Sequence, residues 1–197
     1  MTSIDFWYEF ASTYSYPAAM RVEALAAARG VAVTWRPFLL GPIFVAQGWR
    51  DSPFNIYPAK GRYMWRDMER ICASMGLPLV RPDPFPQHSL LTARIALVLG
   101  DDERPAFSRK VYRAEFGEGR PIAEPATLAP ILDGLGLDAD DVLVRAQNPD
   151  NKERLKLQSA RAIEIGLPGA PCLVTVDGEV FWGNDRLEDG LDWALRR

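Results

Sequence analysis

Histidine and cysteine are nearly missing from this chain of 197 residues, which holds one His and two Cys. The single imidazole, His88, could anchor a metal only with several carboxylates, and none stands at ligand spacing, so no metal is expected. With no visible partner, His88 reads as structural. Cys72 and Cys172 lie far apart in segments of different character. That excludes a CxxC redox pair and a zinc knuckle, and leaves both thiols as small buried hydrophobes that do not pair with each other. No stretch approaches the roughly 20 apolar residues that span a bilayer, and the opening Met1-Thr2-Ser3-Ile4-Asp5 lacks the basic and apolar regions of an export signal. A cytoplasmic protein with no membrane contact is expected. Basic residues number 23 against 26 acidic ones, a net charge of -3, with no basic run. This excludes the electrostatic footprint of a nucleic-acid binder.

What is present is ordinary for a globular protein: 48% hydrophobic and 25% charged residues, no repeat and no low-complexity tract. Ile4 to Phe10 is rich in aromatic residues and predicts a buried strand. The polar cluster after it holds three candidate helix caps, Ser12, Thr13 and Ser15. Pro17 suits a first helical turn, and Ala18 to Ala28 predicts a helix stopped by Gly30. Val31 to Phe38 again reads as a strand, giving a βαβ opening with parallel strands. From Leu40 to Pro86 prolines and glycines punctuate the chain, which predicts loops around one helix, Gly61 to Met75. Helices are predicted over Ser89–Leu99, Pro105–Phe116, Pro125–Leu135 and Asn151–Ile165, with a short one at 138–145. At the end, Pro171 to Val176 and Glu179 to Trp182 flank Asp177-Gly178 as a hairpin, followed by a helix from Leu187 to Leu195. The two ends can share one sheet only if the helical middle is an insertion.

Two places could carry chemistry. At the strand-to-helix turn, Ser12 is either a plain helix cap or a group beside unpaired N–H donors at the positive end of a helix dipole, where anions bind. Near the end, Asn184 and Asp185 either cap the last helix or hold a ligand's ammonium group. Pro171, after Gly169-Ala170, stands where a strand entrance tolerates proline.

Four segments occur in order: Asp5-Phe6-Trp7-Tyr8-Glu9-Phe10-Ala11-Ser12-Thr13-Tyr14-Ser15-Tyr16, then Pro58-Ala59-Lys60-Gly61-Arg62-Tyr63-Met64, then Gly169-Ala170-Pro171, then Asp177-Gly178-Glu179-Val180-Phe181-Trp182-Gly183-Asn184-Asp185-Arg186-Leu187. Together they resemble the 2-hydroxychromene-2-carboxylate isomerase family, kin of the kappa-class glutathione transferases and, more distantly, of DsbA-type oxidoreductases. The resemblance covers essentially the whole chain, and its first and last segments are the most specific. It implies an α/β, thioredoxin-like fold (βαβ…ββα) with a large all-helical insertion. The thioredoxin-like part would be residues 1–42 and 166–197, and the insertion 43–165.

The resemblance also implies that Ser12 stands where thioredoxins keep the first cysteine of CxxC and hydrogen-bonds the sulfur of glutathione. Serine fills both cysteine positions of Ser12-Thr13-Tyr14-Ser15, so dithiol chemistry is excluded. Asn55 and Lys60 would hold the glycine end of glutathione, the backbone of Ala170 before a cis Pro171 its cysteinyl unit, and Asn184 and Asp185 its γ-glutamyl end. The implied activity is glutathione-dependent cis–trans isomerisation of an unsaturated aromatic keto acid. A kappa-like transferase or peroxidase, or a non-catalytic module that binds glutathione or a peptide, would use the same residues. A homodimer is a further implication. Two departures stand out: Pro168, where an aromatic or branched residue is commoner, and His88, where many relatives carry Asn.

Overall fold

The computed structural model describes residues 2–196. Its centre is β1 (Ser3–Tyr8), which pairs in parallel with β2 (Ala32–Pro37) on one edge and antiparallel with β3 (Cys172–Thr175) on the other; β4 (Val180–Trp182) completes a four-stranded sheet in the order β2-β1-β3-β4. Phe6 sits opposite both Trp35 and Leu173. Because successive side chains of a strand point to opposite faces, Ile4, Phe6 and Tyr8 enter the larger core while Trp7 enters a second one with Phe38, Ile43, Leu167 and Cys172. A strand buried on both faces needs helices on both sides. α1 (Ser15–Ala27) and α10 (Leu187–Ala194) pack on the first face, and α2 (Leu40–Ala46) and α9 (Pro149–Glu164) on the second.

The remaining helices are α3 (Pro53–Ile56), α4 (Pro58–Met75), α5 (Leu90–Val98), α6 (Glu103–Tyr112), α7 (Pro125–Asp133) and α8 (Ala139–Ala146). Residues 40–57, expected to be loop, hold two helices, and α4 begins ahead of Gly61. The reason is positional. Pro42, Pro53 and Pro58 each fall in a first turn, where the missing N–H has no intrahelical acceptor to lose. The prolines start helices here rather than breaking them. Ser52 caps α3 by accepting from the Phe54 N–H at 3.3 Å. The helix expected over Pro105–Phe116 is α-helical only to Tyr112 and continues as a π-helical turn, Arg113–Gly117.

The inserted helices do not form a core of their own. Phe107, Val111, Tyr112 and Phe116 join Phe6, Tyr8, Phe10 and Tyr16 in one buried cluster, and the Tyr8 hydroxyl meets Ser108 Oγ at 2.8 Å inside it. Arg104 adds a polar tie. Its buried guanidinium donates to the carbonyls of Ala96 and Leu99 at 2.7 Å, at the C-terminal end of α5, and to that of Trp35 in β2 at 3.2 Å, while meeting Asp101 at 2.7 Å. A cation at a helix C-terminus satisfies carbonyls that the helix cannot. Cys72 and Cys172 are both buried and unpaired with each other. Among the described residues no helix is long and apolar enough to cross a membrane.

α3 and α4 touch at Gly61, where a Cβ would collide with the backbone carbonyl of Phe54. Gly61→Ala is therefore expected to lower stability by about 1–3 kcal/mol through overpacking. Gly41→Ala, in open space on α2, should be neutral or stabilising. Denaturant midpoints of both variants check the pair; equal midpoints would contradict the tight α3–α4 contact.

Candidate active site

β1 and β3 run antiparallel with Trp7 opposite Cys172. The residues that leave the end of β1 and those that enter β3 therefore come off the same end of the sheet. This brings Ser12 to Ala170 across 158 residues of chain: the Ser12 hydroxyl donates to the Ala170 carbonyl at 3.0 Å. The Ala170–Pro171 peptide is cis. Ser12 does not cap α1, whose N-cap position is Tyr14 with no side-chain cap bond, so neither Ser12, Thr13 nor Ser15 acts as a cap. The turn is seated on α4 instead. Thr13 Oγ1 donates to Met64 Sδ at 3.1 Å and the Tyr14 hydroxyl to Asp67 Oδ2 at 3.1 Å. Above Ala170 the loop is covered by Trp182, so close that a Cβ on Gly169 would meet the indole nitrogen at 2.9 Å.

Ser12 and Ala170 lie on the wall of a cavity of about 1260 Å³. Its polar lining includes Lys60, Arg21, Asn184 and Asp185. Asn184 is buried and oriented by Arg21, whose Nε donates to Asn184 Oδ1 at 3.0 Å. With that oxygen occupied, the free group of Asn184 is its NH2, a donor. Neither Asn184 nor Asp185 caps the last helix; both sit in a 3-10 turn, Asn184–Arg186, that leads into α10. Asp185 is exposed, 3.9 Å from Arg186. Lys60 is exposed, with Nζ 4.6 Å from the centre of the Tyr57 ring. Asn55 is not brought to the cavity: its amide donates to both carboxylate oxygens of Asp51 and to the Phe85 carbonyl. It ties two wall segments together, and its neighbours Asp51, Ser52, Pro53 and Phe54 line the space.

Its apolar lining includes Leu40, Pro42, Phe44 and Val45 of α2, together with Trp49 and Pro168. Arg50 also lines the cavity, without an ion pair or hydrogen bond among the described residues. His88, expected to be structural, is exposed on the cavity wall.

Beneath the turn lie two buried carboxylates. Glu9 lines the cavity, takes a hydrogen bond from Ser89 and one from the Ala11 N–H, and is pushed by burial up to about 7. Glu115, in the π-helical turn, has no donor on either oxygen, and burial with the nearby Glu9 charge holds it well above the usual carboxylate range. Neither thiol is a nucleophile. Burial pushes Cys72 up to about 11 and Cys172 up to about 12, so both stay protonated. Among the described residues no group of His, Cys, Asp and Glu could hold a metal.

Glu9, Arg21 and Arg50 were not singled out as site residues from sequence. Glu9 did carry a signal, since a carboxylate closing an aromatic buried strand is an anomaly that asks for a reason. Arg21 and Arg50 carried none, being surface-type residues in a helix and a loop.

The model of the DSBA-like thioredoxin domain matches residues 3–192. The chain is 30% identical over 187 residues to a 2-hydroxychromene-2-carboxylate isomerase of Sphingobium xenophagum, covering 94% of each chain. It is 25% identical to Glutathione S-transferase kappa 1 of Homo sapiens, covering 94% of this chain and 88% of that one. A solved 2-hydroxychromene-2-carboxylate isomerase superposes with a TM-score of 0.87 at 27% identity, over 98% of this chain and 94% of that chain.

The buried Glu9 has a consequence for stability. Folding raises its proton affinity from an ordinary 4.5 to about 7, so between those values the unfolded chain gives up a proton that the folded one keeps. Its contribution is most favourable below about 4.5, falls as pH rises to about 7, and is flat above, a loss on the order of 3 kcal/mol. Glu9→Gln should remove that slope. Denaturation free energies measured for both proteins from acid to neutral pH check it, and parallel curves would contradict the raised value.

Proposed function

Because this chain belongs to the DSBA-like thioredoxin-domain family, and within it to the 2-hydroxychromene-2-carboxylate isomerase family, we propose that it is a glutathione-dependent cis–trans isomerase of an unsaturated aromatic keto acid. The observation that carries this reading is the meeting of the Ser12 hydroxyl with the Ala170 carbonyl on the wall of one cavity lined by both polar and apolar residues. A tripeptide thiol suits the polar lining and an aromatic substrate the apolar lining.

The chain's own residues fit glutathione. Lys60 presents a cation to the glycine carboxylate, and its long side chain has no carboxylate partner among the described residues. Asn184, with its oxygen held by Arg21, offers NH donors to the γ-glutamyl carboxylate, and Asp185 offers an anion to the ammonium beside it. The Ala170 carbonyl accepts a main-chain N–H of an extended peptide, the bond by which a strand edge takes up a ligand. Once that carbonyl has another donor, the Ser12 hydroxyl is free to turn to a sulfur, next to the positive end of α1. Bound glutathione supplies a thiolate that adds to the conjugated system, which lets the former double bond rotate, and that is expelled again as the bond re-forms. Ser12 holds the negative charge at sulfur and forms no covalent bond itself. Phe44 and Trp49 of the apolar lining are surfaces for the ring, and Arg50 is a cation available to the substrate's carboxylate. A reducing cytoplasm is the matching compartment, since the thiol must stay reduced.

A second reading is favoured by the likeness to a kappa-class glutathione transferase: the same site releasing a conjugate or reducing a peroxide. A panel of unsaturated aromatic pyruvates followed spectrally, with product analysis, separates the two. Isomer formation that needs only catalytic glutathione supports the isomerase, and consumption of glutathione one for one supports the transferase. Neither result would point to a binding module.

The two key roles are separable by mutation. Ser12→Ala should raise the thiol pKa of bound glutathione and lower turnover tenfold or more, with a smaller effect on affinity. Lys60→Ala should weaken glutathione binding roughly five- to tenfold, a loss held down by the exposure of Lys60, and leave turnover at saturation nearly intact. Thiolate titration and saturation kinetics read both, and the reverse pattern would overturn the assignment.

A further inference from the structure

A thiol that becomes a thiolate in a closed space needs a destination for its proton. Glu9 is placed to supply one. It is 4% exposed, lines the same cavity as Ser12, and belongs to the same turn, its backbone carbonyl accepting the Ser12 N–H at 3.1 Å and the Tyr112 hydroxyl at 2.8 Å. Its carboxylate therefore makes the remaining contacts. These are neutral donors only, the Ser89 hydroxyl and the Ala11 N–H, and Ser89 lines the cavity as well. Among the described residues no Lys, Arg or His pairs with Glu9. A buried carboxylate without a counter-charge is a cost to folding that a neutral side chain would avoid.

The groups that face it are acidic. Glu115 approaches from the π-helical turn and Tyr112 from α6, and neither is a cation. Glu115 has no donor on either oxygen, so it is the member of the pair that keeps its proton, leaving Glu9 as the one that exchanges. Burial brings Glu9 up to about 7, into the range of a thiol stabilised at a helix N-terminus.

We propose that Glu9 is the proton acceptor for the thiol bound at Ser12, keeping the proton while the sulfur is charged and returning it when the sulfur is released. The inference rests on the reading of this cavity as a glutathione site. In the transfer the S–H bond breaks and an O–H bond forms on Glu9. The negative charge moves from carboxylate to sulfur, no proton reaches solvent, and no other reactant is needed. The exchange replaces a buried anion that lacks a counter-charge with one that has the Ser12 hydroxyl and the positive end of α1 beside it.

The test is a proton inventory. Glutathione binding is measured by calorimetry slightly above neutral pH in buffers of different ionisation enthalpy, and thiolate absorbance is read on the same samples. For the wild-type protein the expected result is thiolate formation with clearly less than one proton released per thiolate. For Glu9→Gln the expected result is one proton released per thiolate formed, with a higher apparent thiol pKa. A full proton released per thiolate by the wild type overturns the proposal, and needs no variant. An unchanged proton count in a folded Glu9→Gln overturns it too. If the wild type binds no glutathione, or binds it without forming thiolate, the proposed glutathione site fails as well; full release with thiolate formed defeats only the role of Glu9.

Discussion

The double pairing of β1 is the constraint from which the site follows. Held in parallel by β2 and antiparallel by β3, this strand cannot shift register without turning Phe6 and Tyr8 out of one core and Trp7 out of the other. With register fixed, the exit of β1 and the entrance of β3 meet at one end of the sheet. The Ser12–Ala170 contact is the geometric result. It places a hydroxyl, a main-chain carbonyl and a helix N-terminus together.

The helical insertion completes the site rather than merely decorating the sheet. α4 seats the turn through Met64 and Asp67, and the segment around α2 builds the apolar wall. α4 packs into the larger core and α2 into the smaller one, while Arg104 ties the end of α5 to β2 by serving carbonyls of both at once. Both parts of the chain contribute to the cavity lining. Its lining combines charged and amide groups suited to a peptide with aromatic and aliphatic ones.

Buried charge is handled in two opposite ways. Arg104 is surrounded by acceptors, so its burial is compensated and its role is to hold elements together. Among the described residues no cation compensates Glu9 or Glu115, and burial pushes their proton affinity up instead. An arrangement of this kind favours a group that exchanges a proton over one that only supports the fold.

The sequence by itself determined the order of strands and most helices, because hydrophobic period, Gly and Pro are local signals. It also pointed to Ser12, Lys60, Asn184 and Asp185 through their ordered motifs. It misread residues 40–57, where prolines at helix starts look like breakers. Asn55 was assigned to the cavity, but a loop whose path depends on contacts with Asp51 and Phe85 carries no local sign of where a side chain ends. Tertiary structure alone decided that the Ser12 hydroxyl meets the Ala170 carbonyl and caps nothing. It alone turned Asn184 into a donor by occupying its oxygen with Arg21, and it alone made Glu9 a buried carboxylate on the cavity wall. The physical reason is common to all three: each property depends on which distant groups remove water from a side chain or take up its lone pairs, and chain neighbours do not specify that.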